Sequence, residues 1–318
     1  MDGLFKTFYA GKKVLVTGGA GFIGSHLVEK LVSLDAKVTV LDNFTTGSMN
    51  NLRNVLPFIN VQYADITSPY SSQQGTVGKD IVFHLAAFIS VPNSVKYPEA
   101  CKLINETGLI HTLNACTKNN VKSFVFSSSA AVYGTKDTIC HESDTPNPQS
   151  PYAASKLFGE ELCRETSLHS TIATTALRYF NVYGERQNPN GDYAAVVAKF
   201  TENLRTSTPI TIYGDGLQTR DFIHVTKVVD ANLAAGMQLH HTGEIINVAS
   251  GSSINLLELI AQLENELGIN NVAVEYKPTR SGDIKNSAAS NKKLQNLLNQ
   301  IIPHLTQPSQ QLFGERLS

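Results

Sequence analysis

Residues 17–24 read Thr-Gly-Gly-Ala-Gly-Phe-Ile-Gly, and no other feature of the chain restricts its fold as strongly. A short β-branched run (12–17) comes before these glycines. A stretch with apolar residues at helical spacing, Ile23, Leu27, Leu31 and Leu34, comes after them. The order predicted is therefore strand, tight turn, helix. The same alternation continues, with strands expected at 37–41, around Val61, and at 80–84, 122–127 and 172–178, and helices at 98–118 and 151–168. Strands alternating with helices predict an α/β fold with a doubly wound parallel sheet. After Phe180 the rhythm loosens into short helices and strands, among them 194–205, 226–238, 244–248, 256–267 and 272–276. This organisation predicts a first domain over 1–180, with return segments near 222–248, and a smaller mixed region over 181–318. No pattern assigns an element to residues 1–10.

Glycines at 18, 21 and 24 let backbone approach a pyrophosphate at a helix N-terminus, where unpaired N–H groups and the helix dipole favour negative charge. Asp42 ends the second expected strand, 18 residues past Gly24. A carboxylate there accepts both hydroxyls of an adenosine ribose and repels a 2′-phosphate, which favours NAD over NADP on a Rossmann-type domain.

The remaining composition excludes other classes. The formal net charge of −1 gives no bulk electrostatic surface for nucleic acid or membrane, so bound anions need local arginines. Cys101, Cys116, Cys140 and Cys163 form no C-x-x-C pair and match no zinc spacing, and Cys140, His141 and Glu142 are adjacent in a loop without a distant partner pair, so no metal is expected. No apolar run reaches membrane-spanning length, and the first 13 residues lack the apolar core of a signal peptide, so the expected setting is a reducing cytoplasm.

A second constellation carries chemistry. Tyr152 and Lys156 stand four apart after Pro151, a residue suited to a helix start, so both side chains share one helical face. An adjacent ammonium and a positive nicotinamide ring both favour the phenolate, which could then exchange a proton with a sugar hydroxyl. Upstream, Ser127-Ser-Ser-Ala-Ala-Val-Tyr-Gly134 runs from a strand into small hydroxyl residues at the carboxyl edge of the sheet, and Ser129 is the candidate to hydrogen-bond the reacting oxygen.

These motifs and their order resemble the extended short-chain dehydrogenase/reductase family, in particular its UDP-galactose and UDP-N-acetylglucosamine 4-epimerases. The matching pieces run nearly end to end: TGGAGFIGSHL (17–27), LDNFTTG (41–47), DI (65–66), HLAA (84–87), FSSSAAVYG (126–134), SPYAASK (150–156), RYFNVYGERQNPNG (178–191), YGDGLQTRDFIHV (213–225) and RSGD (280–283). The resemblance implies that Ser129, Tyr152 and Lys156 are catalytic, with Asn105 completing a hydrogen-bonded tetrad. It implies NAD contacts from Gly18, Gly21, Phe22, Ile23, Gly24, Asp42, Asn43, Gly47, Leu85, Ala86, Ala87, Asn105, Tyr152, Lys156 and Tyr179, with Asp65 and Ile66 flanking adenine. For the UDP-sugar it implies Ser90, Ser129, Tyr152, Asn181 at the diphosphate, Tyr213 at uracil, Arg220 and Arg280 as phosphate clamps, Asp283 near the ribose, and Ser287 beside the sugar. Relatives form homodimers through the helices at 98–118 and 151–168.

Two positions bear on the reaction. Sibling dehydratases and decarboxylases carry an acidic residue where this chain has Ala130 and Ala131, and elimination needs such a second acid/base. The expectation is 4-epimerisation, the alternatives being a nucleotide-sugar dehydrogenase or ketoreductase, a UDP-glucuronate-type epimerase or decarboxylase, and an NAD-sensing binding protein without activity. In the related epimerases a small residue at the position of Ser287 admits N-acetylated sugars, which favours UDP-N-acetylglucosamine over UDP-glucose, although Ile89 replaces a residue that is often small.

Overall fold

The computed structural model describes residues 1–188, 196–239, 243–269, 272–279 and 286–301. Helix α1 (Asp2–Tyr9) precedes β1 (Lys13–Thr17), α2 (Phe22–Ser33), β2 (Lys37–Asp42), β3 (Ile59–Tyr63), α3 (Pro69–Thr76) and β4 (Ile81–His84). Next come α4 (Val91–Lys96), α5 (Pro98–Lys102), a π turn (Leu103–Thr107), α6 (Gly108–Lys118), β5 (Ser123–Ser129), α7 (Pro151–His169) and β6 (Ala173–Tyr179). The shorter elements are β7 (Val182–Tyr183), α8 (Val196–Arg205), β8 (Ile210–Tyr213), β9 (Thr219–Asp221), β10 (Ile223–His224), α9 (Val225–Gly236), β11 (Glu244–Val248), β12 (Ser253–Asn255), α10 (Leu256–Leu267), β13 (Val274–Lys277) and α11 (Lys292–Ile301).

Seven strands form one parallel sheet in the order β11-β6-β5-β4-β1-β2-β3, the α/β architecture expected from the alternation. Strand side chains alternate between faces, and here both faces are covered, so the strands read as nearly continuous apolar runs. Val14, Val16, Val38, Val40 and Phe83 pack on one face with Leu27 and Leu31 of α2, Leu233 of α9 and Leu294 of α11. Leu15, Leu41, Val82, Phe124 and Phe126 pack on the other with Leu109 and Leu113 of α6 and Cys163 of α7. A separate cluster joins Val197, Phe200 and Leu204 of α8 to Ile210, Ile212, Leu259 and Leu263.

Chain order reverses between β1 and β4: β1 continues to β2 on one side, and β4 continues to β5 on the other. Loops leaving the carboxyl ends at such a reversal diverge and open a crevice.

Two of the departures from the expected elements bear on the core and the site. The first residues form a helix, with Phe5 and Tyr9 fully buried and the Tyr9 hydroxyl donating to the Leu233 carbonyl at 2.7 Å. The expected helix at 98–118 is broken by the π turn around Asn105. An extra residue in the turn swings the Asn105 side chain off the helical register, where it bonds the Phe88 backbone.

Candidate active site

The glycine loop meets the β4 loop at the crevice. Gly18 has φ +68°, and a Cβ there would lie 2.6 Å from the Ala86 nitrogen. At Gly24 a Cβ would meet the Gly18 carbonyl oxygen at 2.2 Å, so helix and turn are in backbone contact. Gly21 is the N-cap of α2 and supplies no side-chain cap, while a Cβ on it would meet only the Gly18 oxygen, at 3.2 Å. Among the described residues the first turn of α2 has no side-chain cap, which fits a pyrophosphate at the N–H groups of Phe22, Ile23 and Gly24.

Asp42 is buried; its carboxylate accepts from the Ala20 N–H at 2.9 Å and the Phe44 N–H at 2.8 Å. It thus braces the glycine loop, with acceptor capacity left for ribose hydroxyls. A Cβ at Gly47 would press on Ala20 at 3.0 Å, holding the following loop against the glycine turn. Asn43 donates to Asp65 at 2.8 Å, and Thr67 donates to Asp65 through its N–H at 2.8 Å and its hydroxyl at 2.7 Å. Burial raises the Asp65 carboxyl, but these donors outweigh it and hold the group below the ordinary range. The Ile66 side chain sits in the core against Gly108.

After β4, the Leu85 N–H donates to the Thr17 carbonyl at 3.1 Å and the Ala86 N–H to the Thr17 hydroxyl at 3.3 Å, and Ala87 follows on the same loop. The Thr17 hydroxyl also bonds His84 Nδ1 at 3.1 Å. Burial, with Lys156 adding repulsion, drives His84 down to about 3, so its ring is neutral at working pH. Sequence reasoning missed this pair; a threonine and a histidine at adjacent strand ends are the signal.

At the other end of the crevice, Ser150 caps α7 by accepting from the Ala153 N–H at 3.1 Å, with Pro151 in the first turn. The cap places Tyr152 and Lys156 on the first turns, facing the carboxyl end of β5. Lys156 Nζ donates to the Ser127 carbonyl at 2.8 Å and lies 5.7 Å from the centre of the Tyr152 ring. Burial lowers the ammonium to about 8, against the pull of Cys101, Cys163 and Glu160. Ser129 ends β5; its oxygen accepts from the Ala131 N–H at 3.2 Å, a bond that does not use its O–H. Asn105 accepts from the Phe88 N–H at 2.7 Å and donates to the Ser155 hydroxyl at 2.9 Å, tying the β4 loop to α7. Ser90 caps α4, accepting from the Asn93 N–H at 3.2 Å, while the Ile89 side chain is exposed. Tyr179, opposite Ser129 in register, gives its hydroxyl to Asn232 at 2.9 Å.

Beneath this edge lies an ion pair that sequence reasoning did not single out. Arg178 and Glu160, both 1% exposed, join through two bonds of 2.8 and 2.6 Å. Ser128 also donates to Glu160, and the guanidinium stacks on Tyr133 at 4.6 Å. Glu160 follows Lys156 by one helical turn, so the pair clamps α7 to β5 and β6 beneath the redox residues.

Of the expected substrate residues, Asn181, Tyr213, Arg220 and Ser287 lie at or beside the short strands β7, β8 and β9. Asn181 donates to the Asp221 carbonyl at 2.9 Å and to the Ser287 hydroxyl at 3.4 Å. Arg220 Nη1 donates to the Thr219 carbonyl at 2.9 Å, and Gln218 donates to the carbonyl of Tyr213, which ends β8. Arg280 and Asp283 lie outside the described residues. Among the described residues no group of three His, Cys, Asp or Glu side chains could hold a metal, and no helix is long and apolar enough to cross a membrane.

An uncapped helix start at the reversal of a doubly wound sheet, with a phenol and an ammonium on one helix face at the sheet's carboxyl edge, defines a dinucleotide-dependent Rossmann enzyme site. Comparison with known proteins narrows that class. The chain belongs to the NAD dependent epimerase/dehydratase family, whose sequence pattern matches residues 14–249. A solved structure of UDP-N-acetylglucosamine 4-epimerase from Methanobrevibacter ruminantium, in complex with UDP-N-acetylmuramic acid, is 39% identical with a TM-score of 0.87, covering 91% of this chain and 92% of that one. The Thermus thermophilus UDP-glucose 4-epimerase, solved in complex with NAD, is 34% identical with a TM-score of 0.80, covering 89% and 92%. The UDP-glucose 4-epimerase of Mycolicibacterium smegmatis is 34% identical over 291 residues, 90% of this chain and 92% of the relative.

Proposed function

We propose that this chain inverts C4 of a UDP-hexose, interconverting UDP-N-acetylglucosamine and UDP-N-acetylgalactosamine and, as second substrates, UDP-glucose and UDP-galactose. The observation that carries the reading is Lys156, bonded to the Ser127 carbonyl near the end of β5 and 5.7 Å from the Tyr152 ring, on a strand that ends in Ser129 and is followed by two alanines, Ala130 and Ala131, where an eliminating enzyme needs an acid. The names of the relatives support it.

Residues Gly18, Gly21, Phe22, Ile23 and Gly24 hold the pyrophosphate of NAD, Asp42 the adenosine ribose, and the segments at Asn43, Gly47, Asp65, Ile66, Leu85–Ala87 and Tyr179 the rest of the cleft. Bound there, NAD supplies reversible hydride acceptance from the sugar carbon. Tyr152 takes the proton of the 4-hydroxyl, and the nearby Lys156 ammonium favours its phenolate form. Ser129 donates its O–H to the same oxygen, stabilising charge as the C–O bond changes order. The 4-keto sugar is planar at C4. Arg220 and Arg280 hold the diphosphate, with Asn181, Tyr213 and Asp283 at the nucleotide and Ser90 and Ser287 beside the sugar, while the hexose turns its other face to the site; Tyr152 then returns the proton.

Residues 1–180 with the segment near 222–248 form the NAD-binding part and residues 181–318 the main UDP-sugar part. Four free, buried thiols suit a reducing compartment, and we place a homodimer in the cytoplasm. NMR identification of the products from the four UDP-sugars with catalytic NAD tests the reading. Epimer formation far beyond the NAD present is the expected result, and product only in proportion to NAD contradicts it in favour of a dehydrogenase.

A further inference from the structure

The proposed chemistry leaves one heavily bonded buried charge unexplained. Asp221 ends β9 with its side chain fully buried. Its Oδ1 accepts from the Ser250 N–H at 2.8 Å and the Ser250 hydroxyl at 2.7 Å, and its Oδ2 from the Gly251 N–H at 3.0 Å. The Ala289 N–H bonds the same carboxylate, and the Asp221 carbonyl receives Asn181 Nδ2 at 2.9 Å. Gly251 holds φ +80°, and a Cβ on it would lie 2.7 Å from the Asn291 side chain, so the turn that aims its N–H at Asp221 takes a glycine.

These bonds converge on the residues proposed to hold the nucleotide-sugar. Arg220 adjoins Asp221 and projects to the opposite side of β9. Ser287 donates its N–H to the Thr219 carbonyl at 3.1 Å, and its carbonyl receives the Ser253 hydroxyl at 2.9 Å, while Ser253 pairs with Asp221 across β12 and β9. The carboxylate therefore joins the strand of Arg220 to the turn at 250–251 and, through the Ala289 N–H, to the segment of Ser287, while the main-chain carbonyl of the same residue holds the side chain of Asn181. Burial pushes the Asp221 carboxyl up to about 6 against the pull of its donors at Ser250, Gly251 and Ala289, so it is ionised at neutral pH. An amide in its place turns N–H donors toward donors, which leaves buried groups unmatched.

The geometry points to Asp221 as a positioning residue for the nucleotide-sugar: its carboxylate sets the wall that presents Arg220, Asn181 and Ser287, and so governs UDP binding without touching the NAD cleft. This rests on the proposed function. The test titrates UDP calorimetrically into NAD-loaded enzyme and measures steady-state kinetics with the UDP-sugar. D221N raises the Kd of UDP and the KM of the UDP-sugar about tenfold while kcat and NAD retention stay within about threefold. S250A, which removes one donor and is the milder change, shifts both in the same direction by about threefold and decides the matter should D221N fail to fold. Unchanged UDP affinity in the folded variants overturns the assignment, as does parallel loss of NAD and UDP. A native enzyme that keeps NAD and binds no UDP overturns the proposed function itself, a result read before any variant is compared.

Discussion

Replacing Lys156 with methionine separates what the site costs the fold from what it gives the chemistry. The ammonium is fully buried, and burial lowers it from its ordinary 10.5 to about 8. Holding it charged in the fold at pH 7 thus costs about 3 kcal/mol relative to the unfolded chain. Methionine fills similar space without charge and gives up the bond to the Ser127 carbonyl, a loss of about 1 kcal/mol. Lys156→Met is therefore expected to be more stable by about 2 kcal/mol at pH 7, and to lose turnover by orders of magnitude. The sign with pH follows from a folded value below the unfolded one. The lysine's contribution is fully present above pH 10.5 and is lost as pH falls through about 8. The wild type accordingly gains about 1.4 kcal/mol on the variant between pH 7 and pH 9. Urea denaturation of both proteins, freed of nucleotide, at pH 7, 8 and 9 reads this directly. A stability gap that stays constant with pH, or a methionine variant weaker by several kcal/mol, refutes the reasoning.

Three further changes probe the proton transfer, the sugar pocket and the buried ion pair separately. Tyr152→Phe should retain NAD, followed by nucleotide fluorescence, while turnover falls by about three orders of magnitude or more; unchanged turnover removes Tyr152 as the base. Ser287→Tyr should raise KM for UDP-N-acetylglucosamine more than for UDP-glucose, and equal effects on both take Ser287 out of the specificity argument. Glu160→Gln leaves the Arg178 guanidinium buried with a poorer partner and should cost about 3 kcal/mol in urea denaturation, whereas Glu160→Leu combined with Arg178→Met should recover most of that; a double variant as weak as the single one contradicts the charge argument.

What could be read in the chain depended on length of pattern and on locality. The expected helix at 22–33 coincides with α2, and the short elements expected at 244–248 and 256–267 have the bounds of β11 and α10, because each carries a full apolar period with clear ends. Strands of two residues, β7 and β10, leave no alternation to detect. The π turn at Leu103–Thr107 is invisible to a 3.6-residue period, although it is what aims Asn105 at the Phe88 backbone. The glycine loop and the Tyr152–Lys156 pair were legible because their chemistry is local. Glu160 and Arg178 were not: charged residues on a helix and a strand read as solvated until the fold brings them together, and only the four-residue spacing from Lys156 marks Glu160. Asp221 shows the same limit, since its donors come from residues about 30 and 70 positions away and no window of sequence contains them.

The central claim is that hydrogen leaves C4 of the sugar and returns to the same carbon from the other side. UDP-N-acetylglucosamine deuterated at C4, incubated with the enzyme and NAD well below stoichiometry, tests it by NMR. The expected product is UDP-N-acetylgalactosamine that keeps its deuterium at C4 through many turnovers. Loss of the label to solvent, or conversion that stops once the NAD is consumed, would contradict it.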